Sequence, residues 1–340
     1  MAKQYKVAVL GATGMVGKVM MQVLEERNFP ISEFVPLASS RTAGSSVTFK
    51  GKKYEVIEAN ENSFKGIDIV LSSAGAKVSA KLAPAAVKAG AVVVDNTSHF
   101  RMDPEVPLVV PEVNGHAIKK HKGIIANPNC STAQLVLALK PIHDAAKIKR
   151  VVVSTYQSTS GWGKEAVALL EAQVKAWSEG KPIPEDKSIF LKQIAFNVIP
   201  HIDKFLDNGY SKEEIKMVNE TQKILEDDSI KVTATAVRVP VTIGHSEAVN
   251  IETEKKLTAA EVRKLLAAFP TVKVVDDPAN GGYPTPIECA GKDDTFIGRI
   301  REDISVPCGI DLWIVSDNLR RGAALNAVLI AEKLISDGLI

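Results

Sequence analysis

Lys6-Val-Ala-Val-Leu10-Gly11-Ala-Thr-Gly14-Met-Val-Gly17 is the stretch that decides the fold of the first part of the chain. A short apolar strand runs into glycines spaced three apart. Val19, Met20, Val23 and Leu24 then recur at helical spacing. Strand, glycine turn and helix together form a dinucleotide-binding unit. The glycines let the backbone approach a pyrophosphate, and the helix N-terminus donates N–H groups to it. The spacing is G-x-x-G-x-x-G, not G-x-G-x-x-G, and a merely tight turn is the other reading. Its position between strand and helix favours the cofactor.

Working outward, residues 34–38 form a second strand that ends in Ser39-Ser40-Arg41-Thr42. An NAD site usually places an acid here to hold the ribose hydroxyls. Hydroxyls and an arginine suit a 2′-phosphate, so NADP is expected, against a solvated polar loop. Residues 67–71, 91–94 and 124–126 are further short apolar strands, 108–110 is another apolar run, and residues 78–88 form a helix closed by Gly90. Strands alternating with helices imply a largely parallel sheet. Ligands of such sheets sit at the carboxyl ends of the strands, where Ser72, Gly75 and Cys130 fall.

Cys130 follows the stiff turn Asn127-Pro128-Asn129, and Ser131 with Gln134 reads as a capping box opening an apolar helix. Free N–H groups and the helix dipole favour thiolate there, as a nucleophile requires. The alternative is a small buried hydrophobe, which the turn and cap argue against. Arg101, in a loop after Ser98, reads by itself as a solvated charge.

Beyond this helix the texture changes. Residues 151–156 are a β-branched strand running into Gln157-Ser-Thr-Ser160-Gly161, followed by helices over 165–178 and 211–225. Glu213 and Lys216 lie one turn apart, which alone indicates an i,i+3 ion pair. Residues 231–239 and 246–252 read as antiparallel neighbours joined by Pro240-Val-Thr-Ile-Gly244-His245. A lone histidine beside a glycine turn is often structural. Residues 295–301 and 310–315 are strands, and Asn318 precedes an apolar helix, 323–334, that should be buried against the first domain.

The chain has 340 residues, a formal net charge of +2, 45% hydrophobic and 24% charged residues. That length accommodates two cores, and that charge gives no reason to expect nucleic acid or an anionic membrane as partner. Cys130, Cys289 and Cys308 are few, odd in number and far apart, which points to a reducing compartment and against a disulfide framework. No signal-peptide pattern and no bilayer-length apolar run is present, so a cytoplasmic protein is expected, with no metal site.

GATGMVG, NTSHFR, PLVVPEVN, NPNCST, YQSTSG, EEIK, RVPVTIGHSE and SDNLRRGAA occur in the order and spacing of bacterial aspartate-semialdehyde dehydrogenases, which the whole chain resembles. The resemblance implies reduction of aspartyl phosphate by NADPH to aspartate semialdehyde and phosphate, on the route to lysine, threonine and methionine. It implies Cys130 as the nucleophile that forms an acyl-thioester, His245 as general acid/base and Gln157 as orienter. Arg238 would bind the substrate carboxylate, Arg101, Lys216 and Asn129 the phosphate, and Glu213 would fix substrate and lysine. Gly11, Thr13, Gly14, Met15, Val16, Ser39, Arg41, Thr42, Ser72, Gly75, Ser160, Gly161 and Asn318 make up the expected cofactor site. The implied fold is α/β: a Rossmann-type NADP-binding domain (residues 1–129, with 318–340 returning) and an α+β catalytic and dimerisation domain (130–317) with a mixed or antiparallel sheet. A homodimer is implied.

Chemically, a thiolate attacks the acyl phosphate, phosphate leaves, and the thioester is reduced to a thiohemiacetal. A histidine with pKa near 7 suits its collapse, and the Cys130 amide is a donor for the tetrahedral oxygen. Two rival readings are an N-acetylglutamyl-phosphate reductase, which must hold a longer acylated amine, and a non-enzymatic NADP-binding sensor, which would not need Cys130, Gln157, Arg238 and His245 together.

Arg41 gives the first test. Arg41→Ala should weaken NADPH binding much more than NADH binding in parallel fluorescence titrations. Equal losses would remove Arg41 from the 2′-phosphate.

Overall fold

Strands buried on both faces must be apolar throughout, and the first of them sorts its side chains into two cores. In β1 (Tyr5–Leu10), Val7 and Val9 join one buried cluster while Ala8 and Leu10 join another. The computed structural model describes residues 3–340. It divides into two compact units, one ending at Asn129 and resuming at Ala323, the other spanning Cys130–Gly322.

In the first unit, β1 leads through the glycine turn into α1 (Met15–Glu26), then β2 (Ile31–Ala38), a hairpin of β3 (Ser46–Phe49) and β4 (Lys52–Glu55), and β5 (Ile57–Glu58). There follow β6 (Ile69–Ser72), α2 (Ala76–Lys88), β7 (Val92–Asp95), the short α3 (Pro111–Asn114) and β8 (Ile124–Ala126). The sheet order is β5-β2-β1-β6-β7-β8, with every pairing parallel. The order reverses beside β1, so a crevice opens past its carboxyl end. Gly11 sits there with φ +92°, and a Cβ would stand 2.8 Å from the Ser73 carbonyl oxygen. Only glycine lets the two strand ends approach that closely. The run 108–110 is not a strand of the sheet, because Pro111 starts α3 and Leu108 makes only an isolated bridge to Ala126.

The C-terminal helix Leu325–Ser336 belongs to this unit and buries Leu325, Val328, Ile330 and Leu334 in the same core as Val7 and Val9. Each such side chain contributes about 1.5–3 kcal/mol. Closing the long excursion through the second unit costs only about 0.6 kcal/mol more per doubling of its length. Burial wins, and the chain returns.

The second unit begins with α4 (Cys130–Ala146) and continues through β9 (Ile148–Gln157), α5 (Lys164–Ser178), α6 (Lys212–Leu225), β10 (Lys231–Arg238) and β11 (His245–Thr253). It ends with α7 (Ala259–Ala268), β12 (Val272–Val274), α8 (Pro286–Cys289), β13 (Thr295–Glu302) and β14 (Gly309–Ser316), before the C-terminal helix, α9. The order β10-β9-β11-β14-β13-β12 is mixed, with β9–β10 and β12–β13 parallel and the other pairs antiparallel. The expectation that residues 231–239 and 246–252 are antiparallel neighbours is therefore corrected: β9 lies between them. Their connection is too long for a tight hairpin. It crosses the end of β9 instead, where Val241 and Thr242 accept hydrogen bonds from the Thr159 and Ser160 amides.

Alternation along these strands puts one set of side chains on the face that α4, α6 and α7 cover. Arg238 pairs with Gln157, Ser246 pairs with Tyr156, and His245 pairs with Ser316. Arg238, Gln157, His245 and Ser316 thus form a polar row at the sheet's end. The next row is Ala236, Thr155, Glu247 and Ile314, and apolar rows follow. Glu247 is fully buried, and neither carboxyl oxygen has a hydrogen-bond partner among the described residues. Burial pushes its pKa well above the ordinary value; Gln134 of α4 opposes the shift but stands outside hydrogen-bonding geometry.

A raised folded-state pKa means that stability is lost as pH climbs from the unfolded value, about 4.5, towards the folded one. The isosteric Glu247→Gln should therefore be more stable than the parent at pH 8. The gap should shrink towards pH 5, changing by at most about 1.4 kcal/mol per pH unit. Urea denaturation at pH 5, 6.5 and 8 reads this directly, and a pH-independent gap would mean the carboxyl is not held neutral.

Candidate active site

Cys130 is the first residue of α4, so the helix starts two residues earlier than a Ser131 cap requires. Ser131 is buried inside the first turn, and the capping-box expectation is corrected. The thiol still lies where the N–H ends of the helix converge. Cys130 is partly exposed, whereas Asn129 before it is buried. The backbone beneath the cysteine comes from an unexpected quarter. Residues Arg320–Ala324 form a π-turn, in which the Gly322 amide donates to the Asp317 carbonyl (3.2 Å). A Cβ on Gly322 would stand 2.6 Å from the Cys130 Cβ, so only glycine fits against Cys130.

The polar row of the sheet is completed from α6. A capping box between Ser211 and Glu214 fixes its start, and Glu214 also accepts from the Ala236 amide (2.9 Å), tying α6 to β10. This places Glu213 where one carboxylate oxygen accepts from Gln157 Nε2 (3.1 Å) and the other from Lys216 Nζ (3.1 Å). Lys216 also donates to Asp203 (2.9 Å). Burial alone would pull Lys216 down, but Glu213 and Asp203 outweigh it, and its pKa is raised. Asp203 was not anticipated, since nothing local marks it; the capping box Ser211-x-x-Glu214 was readable.

Arg238 is 2% exposed, and its Nη1 donates to the Ser158 carbonyl (2.6 Å). Its Nε and Nη2 groups have no hydrogen-bond partner among the described residues, which leaves a planar fork available. Burial pulls the guanidinium pKa down, opposed by Glu213 and Cys130. His245 is fully buried, and burial followed by the Arg238 charge pushes it down to about 3, with Glu213 and the Gly244 backbone working the other way. The expected pKa near 7 is thus corrected, and the ring is neutral at physiological pH. Asn318 Oδ1 accepts from the Ser158 hydroxyl (3.0 Å) and the Gly244 amide (2.9 Å), and its Nδ2 donates to Ser160 (3.0 Å). Gly161 packs so closely that a Cβ there would meet Arg238 Nη1 at 2.8 Å and His245 Cε1 at 3.1 Å.

The first unit carries the remaining expected residues. A cleft of about 440 Å³ past the ends of β1 and β2 is lined by Gly11, Thr13, Gly14, Ser39 and Arg41. Ser40 of the same stretch lines it too, as do Ser73, Ala74, Val78 and Glu58, which were not anticipated. No side chain caps α1 and its first turn has no acid, which leaves its amides suited to a pyrophosphate. Met15 and Val16 form that turn, and Thr42 bonds Thr13 (3.1 Å). Gly75 starts α2, and Ser72 is buried at the end of β6, outside the lining. The donor set fits a dinucleotide. Arg101 is buried, its Nε donating to the Asn127 carbonyl (2.9 Å) and Nη2 to that of Asn96 (3.0 Å), so it is no solvated charge. Among the described residues no group of three or more His, Cys, Asp or Glu could hold a metal, and no helix is long and apolar enough to cross a membrane.

Residues 6–121 match the family described as semialdehyde dehydrogenase, NAD binding domain, and residues 139–321 the semialdehyde dehydrogenase dimerisation domain. The chain is 57% identical to the aspartate-semialdehyde dehydrogenase of Aquifex aeolicus (strain VF5) over 99% of both chains. It is 49% identical, with a TM-score of 0.96 over 99% of both chains, to aspartate semialdehyde dehydrogenase II of Vibrio cholerae, solved in complex with ASA. The Candida albicans enzyme, solved with NADP, is 28% identical with a TM-score of 0.77, covering 99% of this chain and 100% of that one.

The thiols should separate sharply. Cys289 is 1% exposed and pushed up to about 12 by burial, leaving a thiolate fraction on the order of 10⁻⁵ at neutral pH. Iodoacetamide at pH 7 should label Cys130 first, as read by peptide mass mapping. Labelling of Cys289 ahead of Cys130 would remove the activated thiol.

Proposed function

From the premise that the chain belongs to the aspartate-semialdehyde dehydrogenase family, we propose that it reduces L-aspartyl-4-phosphate to L-aspartate-4-semialdehyde and phosphate, with NADPH and through a thioester on Cys130. The reaction serves lysine, threonine, methionine and diaminopimelate biosynthesis. The observation that carries the reading is the buried row Arg238–Gln157–His245 on the face that α4 covers.

The helix N-terminus and the Arg238 charge hold Cys130 as thiolate. Its sulfur attacks the acyl carbon, a C–S bond forms, and the C–O bond to phosphorus breaks as phosphate leaves with the electron pair. The Nε/Nη2 fork of Arg238 grips the substrate carboxylate in a planar, bidentate match. Arg101, Lys216 and Asn129 bind the phosphate end. Glu213 fixes Gln157 and Lys216 by their bonds to its two oxygens. The Cys130 amide donates to the tetrahedral oxygen, and His245 stands by to serve the same centre. When bound, NADPH supplies the hydride that turns the thioester into an aldehyde. Gly11, Thr13, Gly14, Met15, Val16, Ser39, Arg41, Thr42, Ser72, Gly75, Ser160, Gly161 and Asn318 would hold it. A homodimer is supported by the description of the second family match as a dimerisation domain.

Purified enzyme should form NADPH from NADP⁺ and aspartate semialdehyde only when phosphate is present, and should be inert towards N-acetylglutamate semialdehyde. Arg238→Lys should act mainly through the semialdehyde, whereas Arg101→Ala and Lys216→Ala should raise the phosphate KM. Each loses a charged hydrogen bond of about 1.5–3 kcal/mol, roughly ten- to a hundredfold. An unchanged phosphate KM in both alanine variants would dismiss the phosphate assignment while leaving the reaction standing.

A further inference from the structure

Asn326 stands near the start of α9 among apolar neighbours, with Leu325, Ala327, Val328 and Ile330 buried around it in the core of the first unit. It is itself fully buried. Its Nδ2 donates to the Val109 carbonyl (2.9 Å) and to Asn127 Oδ1 (2.7 Å), whereas its Oδ1 has no hydrogen-bond partner among the described residues. Burying a half-satisfied amide is costly, and leucine would fill similar space without that cost. What asparagine supplies here, and leucine cannot, is the pair of donated bonds.

Those bonds run in one direction. The Val109 carbonyl can only accept, so it fixes which end of the Asn326 amide faces it. Asn326 then presents N–H to Asn127, whose Oδ1 must accept, and Asn127 Nδ2 is turned to donate to Asn96 Oδ1 (2.6 Å). Asn127 and Asn96 directly follow β8 and β7, which pair in register through Ala126 and Asp95, and the Asn127 amide extends that ladder to the Asp95 carbonyl (2.8 Å). Arg101 donates to both strand ends, Nε to the Asn127 carbonyl (2.9 Å) and Nη2 to the Asn96 carbonyl (3.0 Å). A guanidinium is planar, so bonds to two fixed carbonyls set its plane as well as its place. Every residue of this series belongs to the first unit.

We propose that Asn326 is a positioning residue for phosphate binding: through Asn127 and Asn96 its amide holds the two carbonyls that orient Arg101. This rests on the phosphate assignment made above. With the Asn326 donors gone, the Asn127 amide is free to turn over, its bond to Asn96 is lost, and the carbonyls beside both side chains lose their bearing. Arg101 must then be ordered at the moment an anion binds, and that ordering is subtracted from the affinity. No atom of α9 needs to touch the substrate.

The test joins a spectrum to a double-mutant cycle. In the full chain carrying ¹⁵N-labelled arginine, the Arg101 Nε–H, assigned by its loss in Arg101→Lys, should be protected from solvent exchange at pH 7. A parent protein without that protection would overturn the proposal whether or not any Asn326 variant folds. Asn326→Leu should lose the protection and raise the phosphate KM at least about fivefold, with the semialdehyde KM within about twofold of the parent. In an Arg101→Ala background the same change should add less than about twofold, because the residue through which it acts is gone. Equal losses in both backgrounds would make Asn326 a merely structural residue and overturn the proposal. So would a folded Asn326→Leu enzyme with the parent's Arg101 signal and phosphate KM. Asn96 is only half-buried, so Asn96→Ala removes the last acceptor without opening the core, and it should move both readings the same way; parent values there would also overturn the proposal. The spectrum needs no substrate, so a failure of the phosphate assignment appears separately. Arg101→Ala would then keep the parent's phosphate KM, while lost Nε–H protection in Asn326→Leu would still uphold the positioning.

Discussion

The register between β9, β10 and β11 is the constraint on which the second unit's chemistry depends. Side chains on a strand alternate between faces, so a slip of one residue would turn Arg238, Gln157 or His245 outward. What prevents the slip lies away from the chemistry. Ala234, Val153, Val249 and Leu312 occupy the rows behind the polar one, all buried under the helices. Moving any strand by one position would expose these and bury their half-exposed neighbours. The apolar rows set the register, and the polar row inherits its geometry.

Within that geometry the charges are arranged around one carboxylate. Glu213 touches Gln157 and Lys216 directly, and its field supports Arg238 from a distance. A buried guanidinium is costly unless compensated. Here compensation is partial: one carbonyl of Ser158, the Glu213 charge, and the nearby Cys130. A desolvated cation left partly compensated gains more from an anion than a fully paired one does. Burial, followed by the charge of Arg238, pushes His245 down, while the Glu213 field works the other way on the ring.

Much of this was legible in the linear sequence, and what was not has physical reasons. The alternation of short apolar strands with helices forecast the parallel sheet of the first unit, and Lys6–Gly17 marked its cleft. The pairing of β10 with β9 was not readable, because two alternating strands joined by a short loop look like a hairpin from either end. Only the bonds of Thr159 and Ser160 to Val241 and Thr242 show that the loop crosses another strand. The helix start at Cys130 was missed by two positions, since Ser131 and Gln134 fit a capping pattern whose side chains turn inward instead. Asp203 and Gly322 carry no local signal at all. Their roles exist only once residues far apart in sequence meet: Asp203 with Lys216, and Gly322 with Cys130.

The return of α9 to the first unit has a consequence for how the molecule comes into being. During synthesis the strands of the first unit emerge early, yet Leu325, Val328, Ile330 and Leu334 of their core leave the ribosome only after the whole second unit. The second unit lies wholly between, a contiguous segment able to close on itself first, as domains made on the ribosome tend to do. The nucleotide-binding sheet must therefore wait, with α1 alone over the side that carries Val7 and Val9 and with Ile69 and Leu71 incompletely covered, until α9 arrives. An exposed parallel sheet is a sticky intermediate. A chain truncated by its last fifteen or so residues would leave that intermediate permanently unfinished.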